Sequence, residues 1–267
     1  VELTDRVALV TGASRGVGRA VAVALADAGA HVACAARATR AQPQRNPGTL
    51  EETVEAVQAR GREALAVPTN LARREEVQAM VDATLERFGR VDVLVNNAAI
   101  TFPGDLEIDL KRYDLMMEVN LHAPFLATRA VAPGMCERGE GAVLNVSSVA
   151  ALNVFPGLMV YGVSKLALER MSLDLASQLA GRGVAVNVFR IDLPVASEGF
   201  VANSPGADTS DWEPCEVAAE GALWMLQQPA TYTGRLEGML ELREREGIMK
   251  SQAARPHTPI PGARRSW

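Results

Sequence analysis

The stretch "LVTGASRGVGRAV", residues 9–21, decides how the chain is read. An apolar run gives way to a turn holding Gly12, Gly16 and Gly18, with Ser14, Arg15 and Val17 among them. Apolar residues then recur at helical spacing, Val17, Ala20, Val21, Ala24 and Leu25, and Gly29 closes the pattern as a C-cap. In a strand–turn–helix unit of this kind, free backbone N–H groups and the positive helix end face one point, and a phosphate can sit there. Gly12 would permit the tight turn, Gly16 would let the backbone approach a pyrophosphate, and Gly18 would let the helix lie close to the strand. The spacing is Gly-x-x-x-Gly-x-Gly, not the commoner Gly-x-Gly-x-x-Gly. A glycine-rich turn that holds no ligand reads the same way locally.

Working outward, short apolar runs alternate with longer helical patterns. "RVALV" (6–10), "HVACAA" (31–36), "EALAV" (63–67), "VDVLV" (91–95), "AVLNV" (142–146) and "VAVNVF" (184–189) read as strands buried on both faces, as in a parallel sheet. Residues 50–60, 73–88, 109–137 and 161–180 carry helical patterns. The repeated alternation predicts an α/β fold, a Rossmann-type doubly wound parallel sheet with helices on both faces, in a single domain over 1–250. Two segments break the rhythm: the polar loop 38–49 and the long loop 192–213, whose length suits a lid or substrate loop. Residues 251–267 read as an extended Pro-rich tail.

Totals narrow the function classes. With 48% apolar and 4% aromatic residues, the core is aliphatic. A net charge of −5 argues against nucleic-acid or anionic-membrane partners. Cys34, Cys136 and Cys215 are scattered and read as thiols of a reducing compartment, so a cytoplasmic location is expected. His31, His122 and His257 are isolated, and no metal site is expected. Nothing in the chain reads as a membrane span or a signal peptide.

Charge near the second strand bears on the cofactor. Where an acidic residue would take the ribose hydroxyls stands Ala36, followed by Arg37. Arg37 and Arg15 could bracket a 2′-phosphate, each charge-assisted contact being worth about 1.5–3 kcal/mol, which favours NADP over NAD. Arg37 also reads as a solvated loop residue, and Arg40 is a weaker third candidate.

The chemistry lies in "NVSSVAALNVFPGLMVYGVSKLALERM", residues 145–171. Tyr161 and Lys165 are four apart on a helical pattern and share a face. A phenol with a pKa near 10 needs roughly 4 kcal/mol of differential stabilisation to work at neutral pH. A neighbouring ammonium and an oxidised nicotinamide ring could supply it. Ser148 follows the fifth strand, where its hydroxyl could hold a substrate oxygen; Ser147 should point elsewhere. No Gly-x-Ser-x-Gly elbow surrounds Ser148, so a nucleophilic role is not expected.

"TGASRGVG", "NNAA" (96–99), "VNLHAPF" (119–125), "NVSS" (145–148) and "YGVSK" (161–165) resemble, in order and spacing, the short-chain dehydrogenase/reductase family in its shorter branch, over roughly residues 4–240. The resemblance implies a catalytic set of Asn120, Ser148, Tyr161 and Lys165. Tyr161 would transfer the proton, Ser148 would position the reacting oxygen, and Lys165 would bond the nicotinamide ribose. Asn120 would hold a relay water. The resemblance also implies that Asn97, Ala98 and Ala99 line the adenosine region, that Asn70 and Leu71 meet the adenine, and that Ser197 meets the carboxamide. It implies a homodimer or homotetramer through the helices at 109–137 and 161–180. Departures are plain: Arg190-Ile191-Asp192-Leu193 stands where Pro-Gly is usual, and "RLEGMLELREREGIM" replaces the usual ending after Gly234.

Asn153, Val154, Phe155 and Leu158, with Phe200 and Trp212 of the long loop, are the expected pocket wall. Mostly apolar, they suit a neutral or lipophilic ketone or secondary alcohol, although Phe155 and Trp212 could equally pack under the loop, and Asp192 could face substrate or solvent. The expected activity is NADP-dependent interconversion of a carbonyl and a secondary alcohol. The alternatives are an NAD-preferring dehydrogenase, a catalytically weak cofactor-binding protein, or a sugar-nucleotide epimerase or dehydratase, which length disfavours.

Overall fold

Residues of alternating direction along each strand divide the core into two layers. Ala8, Val10, Val32, Cys34, Val93 and Val95 face one way, and Leu9, Ala33, Ala35 and Leu94 face the other. Every one of them is buried, as the unbroken apolar runs require of strands covered on both sides. Burying one such Val or Leu side chain contributes about 1.5–3 kcal/mol, so the sheet is the main source of stability. The computed structural model describes residues 2–257; the end of the expected tail, 258–267, lies outside the described residues.

Seven parallel strands form one sheet in the order β3-β2-β1-β4-β5-β6-β7. They are β1 (Val7–Thr11), β2 (His31–Ala36), β3 (Ala64–Pro68), β4 (Val93–Asn96), β5 (Gly141–Ser148), β6 (Val184–Ile191) and β7 (Leu236–Gly238). On one face lie α1 (Gly16–Asp27), α2 (Leu50–Gln58), α8 (Cys215–Leu226) and α9 (Met239–Glu246). The other face carries α3 (Arg74–Phe88), α5 (Ala123–Arg138) and α6 (Met159–Leu179). The short α4 (Leu110–Met117) leads into α5, and α7 (Glu198–Asn203) sits in the long loop. This is the doubly wound arrangement. Its strand order reverses between β1 and β4, so a crevice opens at their C-terminal ends.

Three local readings change. The run at 109–137 is α4, a wide π-turn at Glu118–His122, and α5. Gly29 follows the C-cap residue, which is Ala28: with φ +93°, Gly29 donates to Ala26 O while Ala30 donates to Leu25 O, the paired bonds of a Schellman motif. β7 forms from "LEG", a seventh strand beyond the six expected. The Val188 N–H donates to Arg235 O at 2.8 Å, and Asn187 receives the Arg235 N–H at 2.9 Å, which pins the short edge to β6.

Candidate active site

The glycine turn is built from below. Thr11 ends β1, and its hydroxyl accepts the N–H groups of Asn97 and Ala98, each at 3.1 Å. The Asn97 side chain donates to Thr11 O at 2.9 Å, so β1 and β4 are joined across the crevice. Gly12 (φ +69°) and Gly16 (φ +57°) adopt the left-handed conformation that a side chain would strain. A Cβ at Gly12 would lie 2.8 Å from the Asn97 amide nitrogen and 2.9 Å from the Ala98 Cα. From the α2 side, Thr53 donates its hydroxyl to Ala13 O at 2.7 Å and fixes the turn.

The mouth of the turn offers main-chain donors and Arg15, with the Glu198 carboxylate from the long loop facing them. No side chain caps α1, and no acidic residue stands in its first turn. Arg15 donates one guanidinium N–H to Gly48 O at 3.1 Å, and its buried Nε has no hydrogen-bond partner. Burial lowers the Arg15 pKa; Glu198 opposes that, and the Arg37 charge adds to it. Arg15 and Arg37 therefore act on each other beside the glycine turn. Arg37 itself is exposed. Arg40, the third candidate cation, is engaged with Glu55 at 2.7 Å. A dinucleotide fits this donor set: the backbone can approach a pyrophosphate at Gly16, and the charges of Arg15 and Arg37 lie beside it, against the one carboxylate of Glu198.

The other candidate cofactor contacts are disposed around this turn. Ser14 and Val17 are buried within it, so what they offer a ligand is main chain. Ala99 is exposed in the crevice, whereas the Asn97 side chain is taken up beneath the turn. Asn70 accepts the Ala72 N–H at 3.2 Å and, with the half-buried Leu71, follows β3. Ser197 caps α7, and its Cβ would lie 3.1 Å from a Cβ placed on Gly16. The long loop thus lies over the phosphate turn.

The second half of the site forms where β5 meets α6. The Ser148 hydroxyl accepts the Ala150 N–H at 3.3 Å and hydrogen-bonds the Tyr161 phenol. Burial raises the phenol pKa, and the Ser148 bond works against that rise. Lys165 lies one turn along, its Nζ 5.9 Å from the Tyr161 ring centroid and donating to Val146 O at 2.8 Å. Burial lowers the ammonium to about 8, with Glu169 opposing. Asn120, fully buried in the π-turn, both donates to Ile100 O and accepts the Ile100 N–H at 2.9 Å, and donates to Ser164 Oγ at 3.1 Å. Ser164 in turn donates to Tyr161 O at 2.7 Å. The four residues expected to act together are therefore adjacent, with Asn120 bracing the helix that carries Tyr161.

Several participants gave no local sign in the sequence. No spacing rule marks Thr11 or Ser164 as part of the site, although Ser164 lies three residues after Tyr161. Ser147 points away from Ser148 and donates to Glu169 at 2.7 Å. Arg190, within the unusual 190–193 segment, forms a two-pronged pair with Glu169 at 2.9 and 2.8 Å. Asp192, half-buried, faces the start of α9. It turns toward Gly238 and accepts the Leu240 N–H at 3.1 Å, which caps α9. Phe200 and Trp212 stack at 4.5 Å between ring centroids, so the loop packs on itself. Residues of α9 and of the segment after it hold that loop: Glu213 accepts from Arg243 at 2.8 Å and from the Gln252 N–H at 2.9 Å, while Arg255 pairs with Asp208 at 2.7 Å.

Comparison with known proteins gives a consistent set of matches. A family model described as short chain dehydrogenase matches residues 6–191. A 3-oxoacyl-(acyl-carrier-protein) reductase of Synechocystis is 38% identical over 201 residues, 75% of this chain and 76% of that protein. A solved structure of a candidate dehydrogenase from Xanthomonas campestris superposes with a TM-score of 0.87 at 29% identity, covering 99% of this chain and 100% of that one. A blue fluorescent protein from a metagenomic library, solved in complex with NADPH, gives a TM-score of 0.78 at 30% identity over 89% of this chain and 97% of that one. No helix among the described residues is long and apolar enough to cross a membrane.

Proposed function

The chain belongs to the short chain dehydrogenase family and is an NAD(P)-dependent oxidoreductase, and on that footing we propose that it interconverts a carbonyl and a secondary alcohol with NADP, Tyr161 serving as general acid and base. The observation that carries the reading is the convergence on one phenol of Ser148 from β5 and Lys165 from α6. When bound, the nicotinamide supplies or accepts the hydride at the substrate carbon. The chain's own task is to move the matching proton. In reduction, the Tyr161 hydroxyl donates to the developing alkoxide, and Ser148 holds the same oxygen beside it. Lys165, with its charge fixed at Val146 O, stabilises the phenolate left behind. The Asn120 side chain is spent on Ile100 and Ser164, so a relay water at this residue would be held by main chain.

Preference for NADP follows from charge. Arg15 and Arg37 flank the place beyond β2 where a ribose phosphate would lie, and no carboxylate replaces them at Ala36. Ser197, poised over Gly16, is suited to the nicotinamide end. Val154 and Phe200 are exposed and offer apolar surface suited to a neutral or lipophilic ketone. Titration with NADPH and NADH, followed by a panel of ketones and secondary alcohols, tests the reading: hydride transfer with NADPH supports it, and binding without turnover across the panel overturns it. The reading includes a homodimer or homotetramer, since α5 and α6 leave Phe125, Val163, Leu166 and Leu173 exposed. A single monomer-sized peak on a sizing column at working concentration would contradict that part.

A further inference from the structure

Beneath the phenol lies a buried charge pair that the proposed reaction does not use. Ser147, Glu169 and Arg190 are each no more than 3% exposed. Glu169 Oε1 accepts from Ser147 Oγ at 2.7 Å and from Arg190 Nε at 2.9 Å, and Oε2 accepts from Arg190 Nη2 at 2.8 Å. Ser147 and Arg190 are register partners on β5 and β6. The clamp therefore joins two strands to α6 at the level of the site. Three successive residues of β5 meet three residues of α6 there: Val146 with Lys165, Ser147 with Glu169, and Ser148 with Tyr161.

A carboxylate and a guanidinium buried this deeply carry a desolvation cost that apolar residues would avoid, so their placement calls for a role beyond packing. We propose that Glu169 is a positioning residue, its carboxylate clamped by Arg190 and Ser147 so that it gives the Lys165 ammonium, one helical turn away, a counter-charge that Arg190 holds in check. This deepens, and rests on, the reading of Tyr161 and Lys165 given above. Glu169 favours the charged lysine against burial, and Arg190, by sharing the same carboxylate, keeps that support partial. Burial lowers the ammonium to about 8, and Glu169 works against that fall. The other charged or titratable groups around the cluster are the Tyr161 phenol on α6 and Asp192 past the end of β6, which feels Arg190. On the π-turn, Glu118 lies 3.1 Å from the His122 ring and 3.0 Å from Arg74 of α3. From β5 only hydroxyls and main chain face the lysine.

The chain has three lysines, Lys111, Lys165 and Lys250, so lysine-selective carbon-13 labelling lets Lys165 be titrated by NMR without cofactor or substrate. Lys111→Arg and Lys250→Arg assign the signals. Glu169→Gln keeps the shape and removes the counter-charge, so the Lys165 midpoint should fall by about one pH unit. Arg190→Gln frees the carboxylate for Lys165, so the midpoint should rise by a similar amount. The alkaline limb of turnover should follow both. A purely structural clamp would not move the two variants in opposite directions. Shifts of the same sign, or none, overturn the proposal. If either single variant fails to fold, Glu169→Gln/Arg190→Gln removes both members of the clamp, so neither is buried without the other. A fall in its midpoint, smaller than that predicted for Glu169→Gln, supports the proposal, and a parent-like midpoint overturns it. Loss of the Tyr161 reading would leave these NMR outcomes standing, so the two failures are distinguishable.

Discussion

Replacing Gly18 by alanine tests the link between the opening turn and cofactor affinity. The added Cβ would meet the Gly12 carbonyl oxygen and the Asn97 side-chain amide, and would lie 2.8 Å from the Gly12 carbonyl carbon. Carbon atoms in good contact stand about 3.5–4.0 Å apart. Helix α1 must therefore retreat from β1 by roughly 1 Å, or the turn must deform. Neither is easy, because Gly12 is held from behind by Asn97 and Ala98 and Ala13 is held by Thr53. Overpacking of this kind costs about 1–3 kcal/mol, which for a domain of this size lowers Tm by about 2–12 °C. The same retreat carries the first-turn N–H groups away from a bound pyrophosphate. Loss of one good contact, about 1.4 kcal/mol, weakens binding tenfold. A thermal melt with and without NADPH, together with a fluorescence titration of NADPH, measures both quantities in one preparation of Gly18→Ala. A variant that melts with the parent and binds NADPH equally well would refute the close-approach argument.

Two further predictions concern charge. Arg37→Asp should lower NADPH affinity relative to NADH by about 10- to 150-fold, one lost charge-assisted contact being worth about 1.5–3 kcal/mol before any repulsion; competitive titration with the two cofactors measures it, and an unchanged ratio would remove Arg37 from the cofactor site. Carbonyl reduction should decline as pH rises through about 8 in the free enzyme's kcat/KM profile, because the Lys165 ammonium that supports the phenolate is lost above that value and retained below it; a profile flat to pH 10 would mean that the charge on Lys165 is not needed.

Much of the fold could be read from local sequence, and the reason is physical. The strands β1, β2, β4, β5 and β6 are covered on both faces, so their runs are mostly apolar and self-announcing even where β5 and β6 carry the buried Asn145 and Asn187. The glycines at 12 and 16 stand where φ is positive, a demand on one residue at a time. β7 was hidden because three residues, Leu236–Gly238, are too few to show alternation, and what holds them comes from β6. The π-turn at Asn120 was hidden because one wide turn leaves the apolar spacing of a long helix nearly intact. Of the candidate site, Tyr161, Lys165 and Ser148 were visible through spacing and strand end. The Glu169–Arg190 clamp was not: its partners are 21 residues apart on different elements, and no spacing rule joins a residue on α6 to one on β6. Asp192 was unreadable for the same reason, since its partner Leu240 lies 48 residues on.

The claim on which the account turns is that the Tyr161 phenol delivers the proton while hydride moves. The most direct measurement is single-turnover reduction, followed as loss of NADPH absorbance, by the parent and by Tyr161→Phe on the first ketone the parent reduces. The account predicts a rate at least about a hundredfold lower in the variant, the lower end of what a positioned acid contributes, with NADPH affinity preserved. A variant that reduces the ketone at the parent's rate would contradict it.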